Sequence, residues 1–222
     1  MDYLELLEAF KSWLINDKSA QALWNKVNNK KATYKDAKSY ADRIGNEWAR
    51  LLSEYGENAN EHLDDVSKAM LKAYSESAYY TKNLQKNLNE KANIGLKVIE
   101  PRIDETRIAS LITKLAEENA NWLLGSDVVQ NIANAAVNDT IEANARFQSG
   151  AGLKTTMIRH TDGKCCDWCE SISQGGKEFE YGEQPDEFFA MHKDCTCWIE
   201  YKTSKDTQKI VYSGGRKITS II

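Results

Sequence analysis

The sequence predicts an α+β protein: an N-terminal helical body of about five helices over residues 1–153, then a small zinc-stapled, β-rich module over residues 154–222. Three observations carry this. Apolar residues recur at three-to-four spacing through the first two thirds of the chain. Beyond Gly152 the pattern changes to short β-branched runs punctuated by glycine pairs. All five cysteines lie in that second part.

The first helix is read from Tyr3, Leu6, Leu7, Phe10, Trp13 and Leu14, which share one face, and it ends near residues 16–19. A second follows Tyr34, Ala37, Tyr40, Ala41, Ile44, Trp48, Leu51 and Leu52, with Gly56 as its stop. Leu63, Val66, Met70, Ala73, Tyr74 and Ser77 mark a third, which the asparagine-rich stretch 83–93 either continues or breaks. Gly95 and Pro101 punctuate a connector, strand or loop. Ile108, Leu111, Ile112, Leu115 and Trp122 give a fourth helix closed by Gly125. Ser126 and Asp127 stand where an N-cap precedes a fifth, carried by Val129, Ile132, Ala136, Ala143 and Phe147 and ended by Gly150 and Gly152. Stripes at helical spacing are core surface, so no chemistry is assigned to the body, and His62 is read as a solvated or capping side chain.

In the module, Thr155, Thr156, Met157 and Ile158 suit a strand over residues 154–159. Asp162 with Gly163, and Gly175 with Gly176, form turns; residues 178–181 suit a brief strand and 185–190 a short helical turn leading to His192. Residues 198–201 alternate as a closing strand, and the tail over 210–222 reads as a hairpin around Ser213, Gly214 and Gly215.

The chemistry lies in two knuckles, CCxxC at Cys165, Cys166 and Cys169 and HxxCxC at His192, Cys195 and Cys197. Two ligands of one metal must converge from neighbouring backbone, and CxxC does this around a tight turn. Cys195 and Cys197, two apart, face one side of an extended segment. Six donors thus compete for four places. Cys166, Cys169 and Cys195 rank first, His192 stands ahead of Cys197 for the fourth position, and Cys165 lies outside; the choice between His192 and Cys197 stays open. Disulfides fit poorly, because the count is odd and the chain opens on an acidic amphipathic pattern rather than a hydrophobic leader. Five buried apolar thiols would not ordinarily gather beside a histidine and lysines. A histidine in the set favours zinc over an iron–sulfur cluster, and a surplus of donors favours a closed structural site over a catalytic one. A module of about 70 residues is near the size at which a metal replaces a core.

Composition excludes several partners. With 29 basic and 33 acidic residues the net charge is −4, giving no global pull toward DNA or an anionic membrane. No run approaches the roughly 18 apolar residues of a membrane span. GxSxG, HExxH and a phosphate-cradling glycine loop are absent from the sequence, so no enzyme and no small-molecule substrate is expected. A zinc deaminase would need a glutamate two residues after its histidine, and His160 is followed by Thr161 and Asp162.

Residues 159–170, RHTDGKCCDWCE, and 192–201, HKDCTCWIEY, resemble the cysteine-rich signature of bacteriophage minor head (minor capsid) proteins, the Mu F-like group of tailed phages of Gram-positive hosts. Residues 31–44, KATYKDAKSYADRI, resemble the helical part of the same proteins, so the similarity runs to about Tyr201. Carried over, the family's CxxC falls on Cys166 and Cys169 and its HxxCxC on His192, Cys195 and Cys197. The resemblance implies a virion component in the head interior, present in the host cytoplasm during assembly, partnered by the portal and other head proteins and acting in head assembly or genome packaging and delivery. It leaves room for contact with packaged DNA. A second hypothesis from the residues themselves is a zinc-knuckle nucleic-acid-binding module without a virion role, using Lys164, Trp168, Lys193 and Trp198. Asp162, Asp167, Glu170 and Asp194 interleave with those residues and oppose it.

Overall fold

Asp2 starts the first helix, α1 (Tyr3–Asn16), with a capping box: its carboxylate accepts from the Glu5 amide at 3.0 Å, while the Glu5 carboxylate accepts from the Asp2 amide at 2.8 Å. The computed structural model describes residues 2–103, 105–118, 124–161, 165–192 and 195–207. Asp17 ends α1 and caps a short further helix, α2 (Lys18–Asn28), accepting from the Ala20 amide at 2.6 Å. The apolar face of α2 is only Ala20, Leu23, Trp24 and Val27, too short a stripe to stand out among lysines and asparagines. Among the described residues the body has six α-helices where about five are expected, completed by α3 (Tyr34–Leu52), α4 (Leu63–Lys91), α5 (Glu105–Glu118) and α6 (Ser126–Gly150).

Helix α4 runs through the asparagine-rich stretch, because Leu84, Gln85 and Asn89 continue its buried face. A 3-10 segment, Ser53–Glu61, links α3 to α4 and is broken at Gly56, whose φ of +56° suits glycine. His62 sits at the N-cap position of α4 and stacks on Tyr55 at 4.3 Å. Residues 94–103 form a loop. Gly125, not Ser126, occupies the N-cap position of α6. Trp122, the turn at 162–163 and the hairpin expected over 210–222 lie outside the described residues. Among the described residues no helix is long and apolar enough to cross a membrane.

Helices α3, α4 and α6 pack on one another around Tyr40, Ile44, Trp48, Met70, Tyr80 and Ala136, all essentially buried. Tyr40 stacks on Tyr80 at 4.4 Å and Trp48 on Phe10 at 4.6 Å. The closest approach is at Gly45, where an added Cβ would lie 2.5 Å from Gln130 Cα of α6.

Beyond Gly152 the chain enters a three-stranded antiparallel sheet with β1 (Leu153–His160) between β2 (Glu178–Glu180) and β3 (Trp198–Thr207). Met157 pairs with Phe179 on one side and Tyr201 on the other. These residues and Ile199 form the inner face of the sheet and share one core with α3 and α6. A buried polar seam closes the junction. Tyr201 and Thr203 donate to Gln148 Oε1 at 2.6 and 2.7 Å, Gln148 and Gln85 both donate to Asn89 Oδ1, and Tyr34 donates to Gln85. Buried amides need such partners.

Alanine is intrinsically the better helix residue by about 1 kcal/mol, yet Gly45→Ala drives a methyl into backbone. The expected outcome is a net loss of about 1–3 kcal/mol in urea unfolding followed by circular dichroism.

Candidate metal centre

The first knuckle folds as the start of a short helix, α7 (Asp167–Ser173), rather than as a bare turn. Cys166 is its N-cap residue, in extended backbone, and the Glu170 amide donates to the Cys166 carbonyl at 3.0 Å to close the first turn. That turn brings Cys169 back beside Cys166. Gln174, with φ of +47°, ends the helix ahead of Gly175 and Gly176.

The second knuckle is closed by the Cys195 amide donating to the His192 carbonyl at 3.3 Å. Cys195 and Cys197 then lead into β3, and both are buried, as two residues of like parity on an extended segment are placed together.

The two knuckles meet at Cys169. Its Sγ is 2.9 Å from His192 Nε2 and 3.7 Å from Cys195 Sγ, while Cys166 Sγ is 3.3 Å from His192 Nε2. The donor atoms form two triads, Cys166 with Cys169 and His192, and Cys169 with Cys195 and Cys197, each within 4.8 Å. Sulfurs around a tetrahedral zinc, with Zn–S of about 2.3 Å, stand about 3.8 Å apart, so the Cys169–Cys195 pair already has ligand spacing. The structure thus gathers Cys166, Cys169, His192 and Cys195 together with the alternative, Cys197. Cys165 belongs to neither triad and turns toward Glu170, 3.6 Å away.

Arg159 is the residue that sequence reasoning misses. It lies on the inward side of β1, wholly buried at 0% exposure. One guanidinium nitrogen, Nη1, donates to the carbonyls of Phe188 at 2.6 Å and Ala190 at 2.9 Å. The other, Nη2, lies 3.6 Å from both Cys169 Sγ and Cys195 Sγ. Alternation along β1 carries the signal: Thr155 and Met157 face inward, so Arg159 does too, and an inward cation needs an anion.

The charge pattern follows from these contacts. A hydrogen bond from the Cys197 thiol and the facing guanidinium bring the Cys195 thiol down to about 5. Burial pushes Cys169 up to about 11, and Cys197, the donor to Cys195, is also raised. A dipositive ion would take the place of the protons the sulfurs share. Trp168 covers the rim, its ring edge-on to His192 at 5.4 Å and its Nε1 donating to Glu187 at 3.0 Å. His160 is on the opposite face of the sheet, stacked on Trp198 at 3.9 Å and bonded to Glu200 at 2.8 Å, away from the cluster.

Sulfurs with one imidazole, Cys169 and Cys195 buried against a guanidinium and Cys166 exposed, suit a borderline or soft divalent ion. The fold and cluster define a helical protein with a small sheet whose Cys/His cluster is positioned to hold a metal ion. A model of the family described as VG15 protein matches residues 18–215, and the chain belongs to that family, a family of bacteriophage proteins. The match spans α2 through the sheet and both knuckles. No curated protein and no solved structure matches the chain.

Because Cys169 serves both triads, Cys169→Ser is expected to lose bound metal whichever donor completes the site, and Cys165→Ser to keep it. Elemental analysis of protein purified without added metal checks this, and equal metal in wild type and Cys169→Ser would dismiss the cluster as a site.

Proposed function

We propose that the protein is a minor head component of a tailed phage, of the Mu F-like kind. In this reading it associates with the portal and head interior and acts in head assembly or in genome packaging and delivery. It carries a structural zinc on Cys166, Cys169, His192 and Cys195, and it is not an enzyme. The observation that carries the reading is the surplus of sulfur around Cys169, placed where RHTDGKCCDWCE and HKDCTCWIEY converge, in a chain of a phage family.

A catalytic zinc keeps one position for water or substrate. Here Cys169 and Cys195 are buried with Cys197 behind them, and at the rim the exposed Cys166 sulfur lies 3.3 Å from His192, against which Trp168 packs. That supports a closed ion that holds chain segments together. Cys195 is favoured over Cys197 as a ligand by its spacing from Cys169 and its contact with Arg159, which leaves Cys197 as a donor behind it.

The nucleic-acid reading requires free cations and open rings. On the outer face of the sheet Lys154 pairs with Glu180 at 3.0 Å and Lys202 with Glu200 at 3.3 Å. His160 already covers Trp198, and Trp168 packs on the cluster. Lys164 and Lys193 lie outside the described residues. The pairs in view weaken any phosphate footprint.

Salt separates the two readings. A protein making 6–10 phosphate contacts loses about 10³–10⁵ in affinity between roughly 50 and 200 mM salt. Co-expressed with portal and head proteins, this chain is expected to sediment with procapsids equally at both concentrations and to bring about one zinc per copy. Absence from procapsids, with DNA binding that collapses over that salt range, would overturn the proposal in favour of the alternative.

A further inference from the structure

The turn that delivers His192 is held by three successive carbonyls. Arg159 Nη1 takes those of Phe188 and Ala190, and Asn138 Nδ2 of α6 takes that of Phe189 at 2.8 Å. The same guanidinium reaches the sulfurs of Cys169 and Cys195 through its other nitrogen. Its Nε finds no partner among the described residues, and none of the guanidinium's contacts there is a carboxylate. A buried guanidinium without an anion is among the most costly arrangements a core can hold. The Trp168 ring, 5.4 Å from the guanidinium carbon, offers a π face, and among its described partners the sulfurs are the groups able to carry a formal negative charge.

Charge counting gives those contacts a purpose. Three thiolates, a neutral imidazole and a dipositive ion together carry one net negative charge, which one guanidinium cancels. Four thiolates would leave a negative charge in the core. The planar fork of arginine also matters, since it reaches carbonyls with one nitrogen and sulfurs with the other, a span that a single ammonium cannot cover.

We propose that Arg159 is the positioning residue and fixed counter-cation of the metal centre, holding the turn that presents His192 with one nitrogen and the metal-bound sulfurs of Cys169 and Cys195 with the other. The proposal rests on the reading of the Cys/His cluster as a metal site. Groups that orient ligands in this way typically govern metal affinity about 10- to 100-fold.

The test uses the full chain and two substitutions. Arg159→Met keeps volume and removes charge and donors; Arg159→Lys keeps charge and loses the fork. Zinc affinity is read by competition with a chromophoric chelator, and the site is read again by its cobalt(II) spectrum. Arg159→Met is expected to keep helical circular dichroism but to bind zinc about 10- to 100-fold more weakly. Its sulfur-to-cobalt charge-transfer band is expected to move to lower energy, because a thiolate that loses a hydrogen bond holds its electrons less tightly. Arg159→Lys is expected to fall between the two. Unchanged affinity and an unchanged band in Arg159→Met would overturn the proposal while leaving the metal site standing. A wild-type chain that takes up neither ion would overturn the site and the proposal together. If Arg159→Met does not fold, the wild type decides: loaded with an NMR-active cadmium isotope, it is expected to show scalar coupling from cadmium to the Arg159 Nη protons across a cysteine sulfur, and absence of that coupling would overturn the role.

Discussion

A single buried guanidinium lies where the sheet, the His192 turn and the cysteine cluster meet. Arg159 must enter the core because β1 alternates and Met157, two residues earlier, is committed to the inner face. Once inside, its Nη atoms are met by two carbonyls and two sulfurs and its face by the Trp168 ring, while Nε has no partner among the described residues. Residues 188–190 are thereby held from the strand as well as by the turn's own backbone hydrogen bonds and by Asn138 of α6. Neither knuckle alone contains that constraint, so the cluster is as much a product of β1 as of its own donors.

This bears on how the metal-binding region relates to the helices. Independent zinc modules fold around their ion and have little other core. Here the sheet adds Met157, Ile199 and Tyr201 to the core of α3 and α6, and Gln148 and Asn89 extend the junction with buried hydrogen bonds. Asn138 joins the His192 turn to α6 directly. An ion bound at the cluster would therefore restrain the edge of a layer that the helices already support. The buried polar seam at Gln148 and the sulfur cluster lie at different places on that layer.

Much of this was legible in the sequence. Long apolar stripes marked α1, α3, α4, α5 and α6, and β-branched residues marked β1, because burial of a continuous face imposes a period that a reader can count. Helix α2 is harder to read because its eleven residues make only about three turns directly after α1, and the signal that separates the two, the Asp17 cap, is one residue. The gathering of Cys166, Cys169, His192, Cys195 and Cys197 could be anticipated from spacing, because converging ligands constrain local backbone. The division of those donors into two triads sharing Cys169 could not, as it depends on how α7 is set against the start of β3. Arg159 was legible in principle and overlooked in practice: alternation placed it inward, but a cation in a strand invites the assumption that it faces water.

The outer surface of the sheet completes the physical case for docking over phosphate binding as the proposed role. In the proposed role the protein would work near packaged nucleic acid, where any free basic stripe would bind along the backbone without regard to sequence. On this sheet Lys154 and Lys202 face Glu180 and Glu200, so both lysines have their charge answered locally, and His160 is hydrogen-bonded to Glu200. Exposed pairs of this kind contribute little to stability, about 0–1 kcal/mol each. Their consequence is a field close to neutral, matching the net charge of −4 over the whole chain. Such a surface favours contacts chosen by shape and apolar area, the kind that survive salt, and it leaves the strongly charged chemistry of the protein buried, between one arginine and its sulfurs.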